Sequence, residues 1–443
     1  IGFDQIMINR RNLIHSLGLA GFFGSNFLTA ADNYRLNEVF SPGNRFRVQT
    51  TTELSGFMNL INGNQQKQIQ IKGRSLIDFD ETVLSLDSSF KVSKSLRDYR
   101  KVELSRILDG QNQETTLRPI VRRLILARQG SKKIPFSLDS HLTWSELDLI
   151  RTEVCPCSLE GLFPTRMVGL NESWNTGLDA VRELTDLELL ESSTISCRLD
   201  SVNLVNNRQT ARIVFQGKVS GVNEDGPNQQ ILDGYLFFDC ETRHLSFLYL
   251  KGTSLLKNKE GVDVGKIEGR YTLSRDLLPA IQLDGRTLSQ YEPDGRNTRL
   301  SFDSNGTGFT FLYPRSWKVT SQSGHQATLD YSKDSGLLIT MDDSGKYSSG
   351  KIYRDQVLGF IQKQQMRIEK QELLQVFNGM PGVEFFSWEV EDAGRRFYLL
   401  YYFHRLDGKV FTFSCKCPSE NKAIIQNEIP GIVVSTRPVE KGR

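Results

Sequence analysis

Six cysteines, five histidines and four tryptophans are sparse for 443 residues. Six cysteines cannot staple a chain this long, so it is not a disulfide scaffold. Neither a Gly-x-Ser-x-Gly elbow nor a His-Glu-x-x-His helix occurs, which removes the motif-defined serine hydrolases and zinc proteases. Charge of one sign is also missing: 55 Lys and Arg face 52 Asp and Glu, a net charge of +3. A dedicated nucleic-acid binder is far more basic than that. Beyond the first 32 residues no apolar run reaches the roughly 18 residues of a membrane-spanning helix. What remains is 38% hydrophobic and 10% aromatic, the composition of a folded globular chain with room for two or three domains.

The first 31 residues read as an address. Arg10 and Arg11 precede an uncharged apolar run over 13–28, and Thr29-Ala30-Ala31 follows, the layout of a secretory signal peptide. "NRRNLIH" resembles the twin-arginine export signal, with Asn9 where Ser or Thr usually stands, so the general and twin-arginine routes both stay open. His15, Ser16, Ser25 and Asn26 interrupt the run, which argues against a permanent anchor. Met7 is a natural start, and the mature chain is expected to begin near Asp32 in a periplasm or envelope.

Over 34–87 and 193–270 the text alternates. "QIQIK" (68–72) is a half-buried antiparallel strand, and turn-rich "NNRQ", "NEDGPNQQ" and "NKEGVD" separate later strands. Short turns between successive strands make an antiparallel meander, because parallel strands need long crossovers. Leu96, Tyr99, Val102 and Leu108 fall in a helical pattern, and "LTWSELDLIRTEV" opens with Thr143 and Glu146 as a capping box. The expectation is one antiparallel β-rich domain, 32–284, with helical insertions, then a linker, 285–297, then an α/β domain, 298–440. In the last, a helix is expected over 353–374 and another over 419–429. The stretch 91–133 carries 12 Lys or Arg against four Asp or Glu. Such a run docks a polyanion or forms a solvated face.

Toward the C-terminus, "FTFLYPRSWKV" with Tyr313-Pro314 and Trp317, the Asp407-Gly408 hairpin and a final helix before Val433-Val434-Ser435 resemble the PsbP-like α/β/α sandwich family. The resemblance covers about the last 140 residues. It implies an exported extrinsic domain that binds partners, and carries no catalytic set. The 32–284 segment is similar to β-rich domains of uncharacterised bacterial envelope proteins. The fold expected for the whole chain is α+β.

Chemistry is hard to assemble. Cys155-Pro156-Cys157 and Cys415-Lys416-Cys417 invite zinc or copper(I), yet the spacing is not Cys-x-x-Cys and no matched ligand set accompanies them. In "VFTFSCKC" a strand period puts Phe411, Phe413, Cys415 and Cys417 on one face as core. Cys197 and Cys240 are the pair best placed for a disulfide. Gly345 and Gly350-Lys351 have P-loop spacing, but Ile352 stands where a magnesium-binding hydroxyl belongs. Asp139-Ser140-His141 are adjacent, whereas triad members converge from distant segments. Asp78 with Asp80, and Glu389 with Glu391, are carboxylate pairs on one strand face. No catalytic residue, cofactor or metal is therefore expected. The function expected is that of an exported non-catalytic binding or assembly protein, its partner an unknown protein or apolar ligand. A secreted hydrolase using paired carboxylates is the alternative.

Overall fold

The computed structural model describes residues 33–439 apart from 63–64, 131, 224–225, 259, 282–287, 303–305, 343–344, 346 and 378–379. The leader segment 1–31 lies outside the described residues. The chain divides into two compact units: 33–140 with 145–293, and 294–439 with 141–144.

The first unit is built on one antiparallel sheet of 13 strands. In chain order these are β1 (Arg45–Asn62), β2 (Gln65–Leu86), β3 (Val92–Leu108), β4 (Gln111–Thr115), β5 (Arg123–Gln129), β6 (Lys132–Phe136), β7 (Ser173–Asn175), β8 (Leu189–Ser193), β9 (Ser196–Val205), β10 (Arg208–Asn223), β11 (Gly226–Asp239), β12 (His244–Lys257) and β13 (Asp263–Leu278). The spatial order is β6-β5-β3-β2-β1-β13-β12-β11-β10-β9-β7, with β4 on β3 and β8 on β10. Alternation drives this: along β13 every second residue from Gly265 to Arg275 is buried, which is the strand period expressed as burial. The chain over 145–190 lies on the buried face. It contributes α1 (Trp144–Arg151), α2 (Leu178–Thr185) and two short 3-10 turns, Pro156–Ser158 and Glu160–Leu162. Leu147, Leu149, Ile150, Leu162, Val181 and Leu184 are all buried, and the Phe163 ring meets Phe238 of β11 at 5.0 Å.

The second unit has β14 (Leu300–Ser301), β15 (Phe309–Thr310), β16 (Leu312–Tyr313), β17 (Lys318–Ser323), β18 (Gln326–Ser332), β19 (Ser335–Asp342), α3 (Gly350–Lys363), β20 (Arg367–Val376), β21 (Val383–Asp392), β22 (Arg395–Leu406), β23 (Lys409–Pro418), α4 (Lys422–Ser435) and β24 (Arg437–Pro438). Seven strands form an antiparallel sheet, β17-β18-β19-β23-β22-β21-β20. Strand β22 is buried on both faces. Phe397, Leu399, Tyr401 and Phe403 pack with Tyr353, Val357 and Ile361 of α3.

The expected α+β class with an α/β/α sandwich is not what forms. The described chain is mostly antiparallel sheet, with four α-helices. In the second unit two 14-residue helices are too few to make helical layers, and the outer strands β17 and β20 stay largely exposed. The expected helix over 353–374 stops at Lys363, since Gln365 takes a left-handed φ of 55° and β20 follows. The last helix runs through Pro430 to Ser435 instead of ending near 429. The helical pattern over 96–108 is strand β3. No helix of the described residues is long and apolar enough to cross a membrane.

Candidate functional site

Charged side chains gather inside the first unit, where water-exposed ones were expected. Glu81 of β2 shares strand parity with Ile77, Phe79 and Val83, all buried, so the alternation that builds the core also carries this carboxylate into it. Its neighbour across the ladder is Arg97 of β3. Arg97 Nε donates to Glu81 Oε1 at 2.9 Å, and the two side chains are 1% and 0% exposed. Ser95 Oγ donates to the same oxygen at 2.9 Å. Arg97 Nη1 reaches Glu153 Oε2, just beyond α1, at 3.3 Å. Glu153 also accepts from Tyr99 Oη at 3.4 Å and from Thr50 Oγ1 of β1 at 3.3 Å. Phe79 lies under the guanidinium, 4.5 Å from ring centre to Cζ.

A second pair adjoins the first. Arg275 of β13 donates through Nη1 to Glu38 Oε1 at 2.7 Å, and both are buried. The Phe46 ring stacks on this guanidinium at 3.8 Å. Arg275 Nη2 lies 3.6 Å from Cys157 Sγ, and Cys157 donates to Glu81 Oε2 at 3.5 Å, which joins the two pairs. Cys155 and Cys157 flank Pro156 at the start of one 3-10 turn. The Cys155 backbone N–H donates to Glu183 Oε1 of α2 at 2.6 Å, and Lys133 Nζ bonds that oxygen at 2.9 Å.

Burial and mutual charge pull these groups apart. Burial pushes the Glu153 carboxyl up to about 7 despite Arg97. Glu81 is equally buried, but Arg97 and Arg275 together with the Arg97 and Ser95 hydrogen bonds outweigh burial and hold it below the usual range. The neighbouring Cys157 thiol, with Arg97, draws Cys155 down to about 6 against the effect of burial. Cys157 moves the other way. His244, edge-on to Phe46 at 4.9 Å, is pushed down to about 4 by burial and then by Arg275.

The residues singled out in the sequence are dispersed. Asp78 pairs with Arg47 at 2.5 Å, and Asp80 with Arg100 at 2.6 Å and Arg45 at 3.3 Å. Glu389 pairs with Lys422 at 2.9 Å, and Glu391 with Arg367. The His141 ring is turned to the Arg296 carbonyl at 3.1 Å and the His325 ring to that of Thr307 at 3.0 Å. His404 is buried on β22, its imidazole pushed down by burial and Arg437. At the former P-loop, Glu384 Oε2 accepts from the Gly350 N–H at 3.0 Å. A carboxylate thus holds the helix N-terminus that a phosphate would need. Glu146 accepts from Arg118 N, Nε and Nη2 at 2.8 to 3.0 Å.

The expected Cys197–Cys240 disulfide does not form; both thiols are free. Strand β10 separates their strands, and Cys197 lies beside Phe215 while Cys240 lies beside Gln209. Six residues of offset is about 20 Å at the strand rise, far beyond the roughly 7 Å that a bridge spans. Cys415 and Cys417 are buried on β23, and burial raises both thiols. Among the described residues no three His, Cys, Asp or Glu side chains gather as a metal site.

The basic stretch 91–133 is neutralised from elsewhere. Lys91 pairs with Glu160, Lys94 with Glu292, Arg100 with Asp80, Arg118 with Glu146 and Lys133 with Glu183. Arg100, Arg122 and Arg123 do line a groove of about 270 Å³, but Asp98 and Asp139 line it too. That is below the usual size of a small-molecule pocket.

No protein-family model matches the chain, and no curated protein matches it. Among solved structures, the cyanobacterial PsbP (CyanoP) from Synechocystis sp. PCC 6803 aligns over 34% of this chain and 98% of its own, at 14% identity and a TM-score of 0.24. Lipovitellin aligns over 55% of this chain and 26% of its own, at 8% identity and 0.28. The translocator domain of the autotransporter NalP from Neisseria meningitidis aligns over 85% and 88%, at 11% identity and 0.14. TM-scores this low establish no shared fold.

Proposed function

We propose that this chain is an exported, non-catalytic binding or assembly protein of a bacterial cell envelope. The observation that carries the reading is the filled inner face of the large sheet. Residues 145–190 pack their apolar side chains on it, beside the Glu81–Arg97–Glu153 and Glu38–Arg275 pairs. With the inner face packed in this way, recognition falls to the outer face of the sheet.

That face carries an aromatic array. Tyr235 and Tyr249 stack at 5.2 Å, Phe237 and Phe247 lie 5.9 Å apart, and Arg212 covers Tyr235 at 4.9 Å. All four rings are half-buried. Aromatic and Arg side chains are the ones enriched at protein interfaces. The reading therefore favours a protein partner over the apolar ligand. The hydrolase alternative loses support because both candidate acid pairs, Asp78 with Asp80 and Glu389 with Glu391, are engaged by Arg or Lys.

The test is mass spectrometry of the chain from its native envelope, intact and then after organic extraction, with a photo-crosslinker placed at Phe247. A chain starting near Asp32, free of extractable lipid and crosslinked to one protein, is the expected result. A co-extracted lipid, or an intact leader, overturns the reading.

A further inference from the structure

The large sheet is interrupted at one place along β3. From Lys94 to Asp98 this strand pairs with β5, and from Leu104 to Leu108 with β4. Between those ladders the chain over 116–122 steps away, tied to β3 by Thr116 Oγ1 donating to the Val102 carbonyl at 2.7 Å and by the Tyr99 N–H donating to the Arg122 carbonyl at 2.8 Å. On the other side the ladder to β2 skips Arg100, and a bulge of this kind re-aims a side chain. The notch so formed is the groove of about 270 Å³ whose lining includes Asp98, Arg100, Ile120, Arg122, Arg123 and Asp139. Its wall is anchored from behind: Leu117 and Val121 are buried, Pro119 fixes one φ, and Glu146 holds Arg118 at 2.8 Å. Ile120 and Arg122 therefore face outward, Ile120 at 55% exposure. The charges divide into engaged and free. Arg100 donates to Asp80 through Nε at 3.2 Å and Nη2 at 2.6 Å, and Arg123 lies 3.6 Å from Asp98, its neighbour across the ladder. The exposed side chains of Arg122 and Asp139 have no hydrogen-bond or ion-pair partner among the described residues.

We propose that this groove binds a zwitterion of dipeptide size, its carboxylate on Arg122, its ammonium on Asp139 and an apolar side chain on Ile120. Charge matching carries the inference. An anion alone would meet Asp98 and Asp139, and a cation alone would meet Arg122 and Arg123, whereas a molecule bearing both charges satisfies each free group without stranding the other. A guanidinium also presents two N–H groups to a carboxylate at once, which orients the ligand as well as holding it. The volume is short of what a drug-sized ligand fills and suits two linked residues. The buried anchors behind the turn keep Ile120 and Arg122 in place before the ligand arrives, so little ordering remains to be done on binding. The inference goes beyond the binding role proposed above and depends on neither its compartment nor its partner.

The experiment titrates the dipeptide alanyl-leucine into the folded full-length chain by isothermal calorimetry at low salt, where exposed charges are least screened. Alanyl-leucine is expected to bind with a Kd of about 1 mM or tighter. Alanyl-leucine amide and N-acetyl-alanyl-leucine, each lacking one terminal charge, should bind at least about tenfold more weakly. Arg122→Gln should lower the affinity for alanyl-leucine to that of the amide while leaving the amide unchanged. Asp139→Asn should do the same with respect to the acetylated peptide. Both positions are exposed, so the two variants are expected to unfold at the wild-type Tm. Absence of binding up to about 10 mM, equal affinity for the three peptides, or alanyl-leucine binding that neither variant weakens overturns the proposal. The comparison of the three peptides on the wild-type chain decides the matter even where a variant fails to fold.

Discussion

Replacing Glu153 with glutamine should change how the stability of the first unit depends on pH. Four buried acids, Glu38, Glu81, Glu153 and Glu183, face two buried guanidiniums, Arg97 and Arg275, and the half-buried Lys133. One negative charge is therefore in excess, and Glu153 relieves it by keeping its proton up to about 7, compared with 4.5 for an exposed glutamate, with burial as the main cause. A rise of that size, at about 1.4 kcal/mol per unit, corresponds to about 3 kcal/mol. The sign follows from the proton count. Between pH 4.5 and 7 the folded chain still holds a proton that the unfolded chain has released, so this group makes stability fall as pH rises. His244 opposes it: its imidazole, pushed down to about 4, stays neutral in the folded chain while the unfolded chain protonates below 6.5. That contribution rises with pH, so the wild-type curve alone hides both. The difference between E153Q and wild type removes His244 and isolates Glu153. Urea unfolding, followed by hydrogen exchange of the β3 peptide, should show E153Q gaining about 3 kcal/mol on wild type between pH 4.5 and 8. For a unit of this size that is about 6 to 12 °C in Tm. The amide facing Arg97 adds a constant cost and leaves the slope alone. A difference that does not vary with pH would refute the account of the buried charges.

Arg97→Met strands Glu81 and Glu153 in the core and should cost about 3 to 5 kcal/mol in urea unfolding, while adding E81M and E153M should recover most of that loss. A single variant no worse than the triple one would mean that the guanidinium is not compensating the acids. In β11, a Cβ built on Gly234 meets Tyr249 O at 2.3 Å and Phe215 Cζ at 2.6 Å. Gly234→Ala should therefore destabilise the first unit by about 1 to 3 kcal/mol through overpacking, read as a fall in its Tm.

Much of the fold was legible because alternation is a strong signal. Residues 68–72 and 193–270 lie in strands where the period-two text placed them. Asp407-Gly408, both at positive φ, turns β22 into β23 as the dipeptide predicts. Strand β3 misled for a definable reason. Its ladder to β2 skips Arg100, so Tyr99 and Val102, three residues apart, both lie buried. A β-bulge converts a spacing of two into a spacing of three, and together with Leu96 this imitates a helix. Helices α3 and α4 were misplaced at their ends, where a left-handed Gln365 and a tolerated Pro430 decided the boundaries and neither leaves a strong local signal.

The buried network was missed because charged residues were taken to mark exposed faces. Its signal was nonetheless in the text. In "LIDFDETVL", Glu81 keeps parity with Ile77, Phe79 and Val83, and Arg275 keeps parity with Tyr271 and Leu273. An ionised group at an inward position costs several kcal/mol unless an opposite charge meets it. Each such residue therefore predicts its own counter-ion from elsewhere in the chain. Glu81 demands a cation on a neighbouring strand, and Arg97 stands directly across the ladder. Arg275 demands an acid, and it is met by Glu38 from the segment before β1. The acids at 153 and 183, which follow and lie within the two helices of the first unit, are then the reason the 145–190 segment seats on this part of the sheet. Apolar burial alone allows that segment to slide along the strands, whereas Arg97 and Lys133 each fix one register. The same fixation delivers Cys157 between Arg275 and Glu81, so this thiol is positioned by the charges that make its surroundings costly to bury.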